Sequence, residues 1–161
     1  MQNQRIEIIA SQQIMHCYDN NHNVMTFPVS TGKNGLGELI NSECTPRGLH
    51  IIHSIIGLEN EINSVFVSRK WTGEIYNEEL ANAHPSRDWI LTRILQLDGI
   101  EPGFNKGGNV DTLSRYIYIH GTPDSNDIGK PGSHGCIRMR NKDIIKLSDW
   151  IKIGTRTCII E

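Results

Sequence analysis

The chain has 161 residues, a formal charge of −2 and a charged fraction of 21%. Its length fits one domain over 1–161, burying about two-thirds of its unfolded surface. Lys and Arg form no long run, which argues against a nucleic-acid or membrane-surface partner, and 15 Gly with 6 Pro suit a turn-rich, mainly β architecture.

The first residues, MQNQRIEIIASQQIM, hold no basic segment followed by an apolar run of signal-peptide length. No stretch reads as membrane-spanning. Cys17, Cys44, Cys136 and Cys158 show neither a CxxC pair nor framework spacing. Together these give an expectation of a cytoplasmic chain, or a periplasmic one if an export signal has been removed. Arg5 to Ala10 alternates Ile6 and Ile8 against Glu7 and opens the sheet. Gln13–Tyr18 and Asn23–Ser30 form a hairpin across the polar turn Asp19-Asn20-Asn21-His22. Thr31 to Glu38, with three glycines, is a loop. Leu49 to Ile56 is apolar and β-branched, as a buried strand is, and Val65 to Arg69 is a short strand. Lys70 to Pro85 is ambiguous, with a helical turn or two over Glu78–Ala83.

Asp88 to Leu97 nearly fits helical spacing, yet its β-branched residues and the terminal Asp98-Gly99 favour a strand feeding a turn. Glu101 to Asn109 is a Gly-rich loop that can edge a site. Tyr116 to His120 alternates, with Ile117 and Ile119 on one face and Tyr116, Tyr118 and His120 on the other. A punctuated loop leads to Cys136–Arg140, where Ile137 and Met139 point into the core and Cys136, Arg138 and Arg140 face the wetter side. Asn141 is the expected N-cap of a helix over about 141–153, with Asp143 in its first turn and Ile144, Ile145, Leu147, Ser148, Trp150 and Ile151 along its apolar stripe. Gly154 closes that helix, and Thr155 to Ile160 is the last strand.

A histidine ending one strand and a cysteine beginning the next can build a Cys–His pair. A thiol is a weak nucleophile until a base or a positive field makes it thiolate. Cys136 follows Gly135 and lies near His134 and Arg138, an electropositive setting expected to lower its pKa. His120, on the face of Tyr118, is the candidate base. Gly135 frees the backbone so that the amides of Gly135 and Cys136 approach a tetrahedral oxyanion. Ser133 stabilises the turn. His134 either positions substrate or holds the loop. Arg138 is a carboxylate clamp or a thiolate stabiliser, and Arg140 and Tyr118 are candidates to line a substrate pocket.

His120-Gly121-Thr122 followed by Ser133-His134-Gly135-Cys136-Ile137-Arg138-Met139 resembles the signature of the L,D-transpeptidase (YkuD-type) family. Thr45-Pro46-Arg47-Gly48 resembles that family's Thr-Pro-x-Gly turn, and Trp89–Gly99 and Arg115–Thr122 also look familial. The resemblance implies a mixed β sandwich or barrel-like fold. It implies a Cys136 nucleophile, a His120 base oriented by the Gly121 carbonyl, and no cofactor. The implied substrate is the peptidoglycan stem tetrapeptide, attacked between the L-centre of a diamino acid and D-Ala. Water as acceptor gives an L,D-carboxypeptidase, the leading expectation for a chain without an export signal; an amine gives a transpeptidase. Some family members carry Asn where Arg138 stands, so that role transfers less directly. The rival from another class is a zinc hydrolase using His120, His134 and Cys136. Against it, no carboxylate or His pair at i, i+4 spacing accompanies them. A catalytically silent wall-binding module would have no need of both a nucleophile and a base.

Overall fold

The computed structural model describes residues 3–161. Ten strands, β1 (Gln4–Ile9), β2 (Ile14–Asp19), β3 (His22–Pro28), β4 (Gly48–Ile56), β5 (Ser64–Val67), β6 (Lys70–Ile75), β7 (Ile90–Gly99), β8 (Tyr118–Thr122), β9 (Ile137–Arg140) and β10 (Arg156–Ile160), join in one mixed sheet. Two helices accompany them, α1 (Glu78–Ala83) and α2 (Asn141–Trp150). The order is β3-β2-β1-β10-β4-β7-β5-β6, and β8 leaves this path by pairing with β7, carrying β9 beside it. β1 and β10 run parallel, as do β8 and β9. The architecture is mainly β, as the residue pattern indicated.

Alternation explains the core. Ile6, Ile8, Met15, Ile52, Leu95, Leu97, Ile119, Ile137, Met139 and Ile159 all point to one side of the sheet. There they meet Ile144 and Leu147 of α2 and Ile151 just past its end, spaced three and four residues apart. Each such side chain fully withdrawn from water stabilises the fold by about 1.5–3 kcal/mol. The β2–β3 turn uses Asn20 (φ 49°) and Asn21 (φ 65°), the left-handed pair that a two-residue hairpin loop requires and that Asn tolerates.

Several expectations are corrected. Asn141 is not the N-cap: Arg140 holds that position, in extended backbone and without a side-chain cap. Asn141 is instead the first helical residue, fully buried. The helix ends at Trp150, with Ile151 extended as its C-cap, three residues before Gly154. Leu49 to Ile56 is a strand, but only His50 and Ile52 are buried. Tyr116 precedes β8, exposed and left-handed (φ 56°). The ambiguous Lys70–Pro85 stretch divides into β6, an exposed edge strand, and α1, capped by the Asn77 side chain accepting from the Leu80 amide (2.7 Å). Among the described residues no helix is long and apolar enough to cross a membrane.

Candidate active site

The parallel register of β8 and β9 sets Ile119 beside Ile137 and His120 beside Arg138, so Tyr118, His120, Cys136 and Arg138 share one face. This is the face opposite Ile119 and Ile137. Cys136 packs against a second apolar cluster of Phe66, Ile94 and Tyr118. Its sulfur accepts from the Tyr118 amide (3.3 Å), and its thiol donates to the Tyr116 carbonyl (3.5 Å).

His120 is 1% exposed, and its Nδ1 lies 2.6 Å from the Gly121 carbonyl oxygen. A carbonyl only accepts, so Nδ1 carries the proton and Nε2 keeps its lone pair. Burial lowers the imidazole pKa, against which the Gly121 hydrogen bond works. Burial also pushes the Cys136 thiol up to about 11, with the Tyr118 amide pulling the other way. The positive field expected at Cys136 is thus overcome. Desolvation outweighs it, and Asp88, unforeseen in the sequence, raises the thiol pKa while Arg138 lowers it. Burial thus favours the neutral form of both the Cys136 thiol and the His120 imidazole.

Asp88 is the hub of the charged side. Arg138 Nη2 donates to its Oδ1 (3.1 Å), and His134 Nδ1 lies 3.7 Å from its Oδ2. Arg138 also donates to the Gly132 carbonyl (3.1 Å) and is largely covered. The Ser133 hydroxyl donates to the Cys136 carbonyl and accepts from the Gly135 amide (3.1 Å), so that amide is engaged by Ser133. Gly135 sits at φ 120°, where a Cβ would press to 3.0 Å of the Cys44 carbonyl. The Gly135 carbonyl accepts from Thr45 of the Thr-Pro-x-Gly turn (2.8 Å).

A cleft of about 360 Å³ is lined by Ile40, Glu43, Arg115, Tyr116 and His134 among others, and Tyr116 ties it to Cys136, whose thiol donates to the Tyr116 carbonyl. Arg115 donates to the carbonyls of Glu38 (3.1 Å) and Cys44 (2.7 Å), fixing the cleft's far wall. Of the candidates named from sequence, His120, Gly121, Ser133, His134, Gly135, Cys136, Arg138 and Tyr118 gather here. Arg140 does not: it lines a separate depression with Asp124 and Lys142. Trp89 is held away by an edge contact with Tyr76. His134 of the rival zinc trio is 65% exposed, and among the described residues no three His, Cys, Asp or Glu side chains converge as a metal site would need. Asp88 and Arg69 join the site from distant sequence positions, with no motif to mark them, and Arg115 and Asn141 join it from either flank of the motif.

The YkuD family profile, described as the L,D-transpeptidase catalytic domain, matches residues 3–160. The putative L,D-transpeptidase YkuD of Bacillus subtilis is 48% identical over 59 residues, 36% of this chain and 36% of that protein. An L,D-transpeptidase structure from Mycobacterium smegmatis superposes with a TM-score of 0.61 at 14% identity, covering 99% of this chain and 59% of the other. The structure of Bdellovibrio bacteriovorus Bd1075 gives 0.62 at 19%, covering 99% and 48%. The aligned stretch spans about a third of the curated Bacillus relative.

Proposed function

The chain belongs to the YkuD-type L,D-transpeptidase catalytic-domain family, and from that premise we propose that it is a cysteine-dependent L,D-carboxypeptidase of peptidoglycan stem tetrapeptides. The observation that carries the acyl-transfer chemistry, common to water and amine acceptors, is the His120 tautomer. With Nδ1 donating to Gly121, Nε2 is the only ring position left to take a proton, and it lies on the face of Cys136. Because both groups rest neutral, the proton moves from sulfur to Nε2 as the sulfur attacks the carbonyl carbon of the L,D bond. The S–C bond forms, and the oxyanion is met by the Cys136 amide. The C–N bond then breaks, His120 protonates the departing amine of D-Ala, and a thioester remains. Water attacks the thioester carbonyl and gives its proton to His120, the C–S bond breaks to release the shortened peptide as its carboxylic acid, and the proton returns to the sulfur. Arg138, half-neutralised by Asp88, offsets the charge that develops on the thiolate.

A second reading, amine in place of water, is favoured by the curated name of the Bacillus relative. Mass spectrometry of the protein with a disaccharide tetrapeptide, with and without a D-amino acid, separates them. Loss of D-Ala without exchange is expected. Efficient exchange or dimer formation would make the enzyme a transpeptidase. Cys136→Ala should abolish either reaction while leaving the fold intact, and an active variant would overturn the site.

A further inference from the structure

We propose that Arg69, at the tip of the β5–β6 hairpin, is a carboxylate subsite that reads the free C-terminus of the substrate. The proposal rests on the carboxypeptidase reading and deepens it. Two arginines beside the sulfur are already committed: Arg138 to Asp88 and the Gly132 carbonyl, Arg115 to backbone carbonyls of the cleft wall. Arg69 is not. Its Nη1 donates to the Tyr118 hydroxyl (3.1 Å), and its guanidinium lies over the Tyr116 ring, 4.6 Å from the centroid. Among the described residues no acidic side chain pairs with it. The guanidinium is therefore held in place by two aromatic side chains while its remaining donors stay open for a planar anion.

The place is right for a terminal carboxylate. Tyr118 joins the subsite to the nucleophile, since its amide donates to the Cys136 sulfur and its hydroxyl accepts from Arg69. Tyr116, under the same guanidinium, also reaches the site: its carbonyl accepts from the Cys136 thiol, and it lines the cleft. The backbone supports the assignment. Ser68 (φ 50°) and Arg69 (φ 65°) form a two-residue loop between paired Val67 and Lys70, both left-handed, where Asn-Gly is the ordinary occupant. That loop holds the Arg69 side chain at the tip of the hairpin.

The test uses the full chain and two substrates, a tetrapeptide ending in the free D-Ala carboxylate and the same peptide as its C-terminal carboxamide. Wild type should prefer the carboxylate. Arg69→Gly suits the left-handed backbone and keeps the hairpin. In that variant the carboxylate-to-amide ratio of kcat/KM should fall about 10- to 100-fold, the worth of hydrogen bonds to a charged group. The loss should appear in KM, and Arg69→Lys should restore part of it. An equal loss on both substrates would assign Arg69 to bracing Tyr116 and Tyr118 and overturn the subsite, as would a wild type with no preference. Failure of wild type to release D-Ala or its amide from either peptide would overturn the peptidase reading and the subsite together.

Discussion

Asn141 is where the fold and the proposed base His120 meet, and removing its amide tests that link. The side chain is fully buried at the start of α2. Its Oδ1 accepts from the Thr92 hydroxyl (2.7 Å), and its Nδ2 donates to the Thr122 carbonyl (2.9 Å) and to Asn63 Oδ1 (3.0 Å). Asn141→Ala deletes three buried hydrogen bonds worth roughly 0.5–1.5 kcal/mol each, so the loss of stability should be about 2–4 kcal/mol. For a chain of this length that is a fall of roughly 4–16 °C in Tm, read by calorimetry. Asn141 pins Thr122, and the preceding Gly121 carbonyl orients His120. kcat should therefore drop about 10- to 100-fold at a temperature where the variant is fully folded. Asn141→Asp is the sharper probe: it keeps the acceptor for Thr92 but turns a carboxylate toward the Thr122 carbonyl and Asp124 Oδ1 (3.4 Å). Such a buried carboxyl prefers its protonated form, so the defect should grow as pH rises and ease as it falls. An aspartate variant as stable as wild type at neutral pH, with normal kcat, would refute the strut.

The neutral resting pair predicts a broad pH profile: kcat/KM should hold across neutral pH and fall only as acid protonates His120, below the ordinary histidine range. Thiolate absorbance at pH 7 would instead show a preformed ion pair. His50 is buried, bonded to the Gly48 carbonyl and the Thr112 hydroxyl at 3.0 Å each, and burial holds its pKa at about 4 against 6.5. Its folded state takes up the proton later than the unfolded chain, so stability is full above pH 6.5 and drains toward pH 4 by about 3 kcal/mol. The urea midpoint should show this, and His50→Gln should flatten the dependence. Gly121→Ala would place a Cβ 2.6 Å from the Leu91 carbonyl and against Asn141 Oδ1, so it should lose about 1–3 kcal/mol or more and most activity. A normal urea midpoint for that variant would show that the backbone yields freely.

What the sequence made legible was what is local. The alternation in Tyr118–His120 and Ile137–Met139 specified two strands and which faces they bury, and the Ser-His-Gly-Cys run marked the candidate nucleophile. The shell around it was not legible, because it is assembled across long separations: Asp88 reaches Arg138 over 50 residues, and Thr45 reaches Gly135 over 90. The thiol pKa was misjudged for the same reason. Nearby cations are visible in the chain, whereas burial against Phe66, Ile94 and Tyr118 and the opposing charge of Asp88 exist only once it folds. Asn141 was misplaced as a cap because Asn before an apolar stripe has that local meaning, and the partners that draw it inside, Thr92 of β7, Thr122 of β8 and Asn63, come together only in the fold. β6 was hidden because its residues lie at an exposed edge and bury almost nothing.

One irregularity in β7 ties these features together. Leu91 pairs with Gly121 and Ile94 with His120, so Thr92 and Arg93 are extra residues opposite none. Thr92 is forced to φ 74°, a conformation that costs a β-branched residue about 1–3 kcal/mol. Its hydroxyl offsets that cost by donating to Asn141 and accepting from the Asn63 amide, while its carbonyl accepts from the buried Arg93 guanidinium (2.7 Å). The same bulge presses the Leu91 carbonyl against Gly121, leaving no room for a side chain there. The carbonyl of the glycine so trapped is the one that holds the His120 Nδ1 proton. The strain at Thr92, the side-chain-free backbone at Gly121 and the buried amide at Asn141 are therefore three parts of one device. It fixes which nitrogen of His120 carries the proton, and a regular β7 strand would leave that choice open.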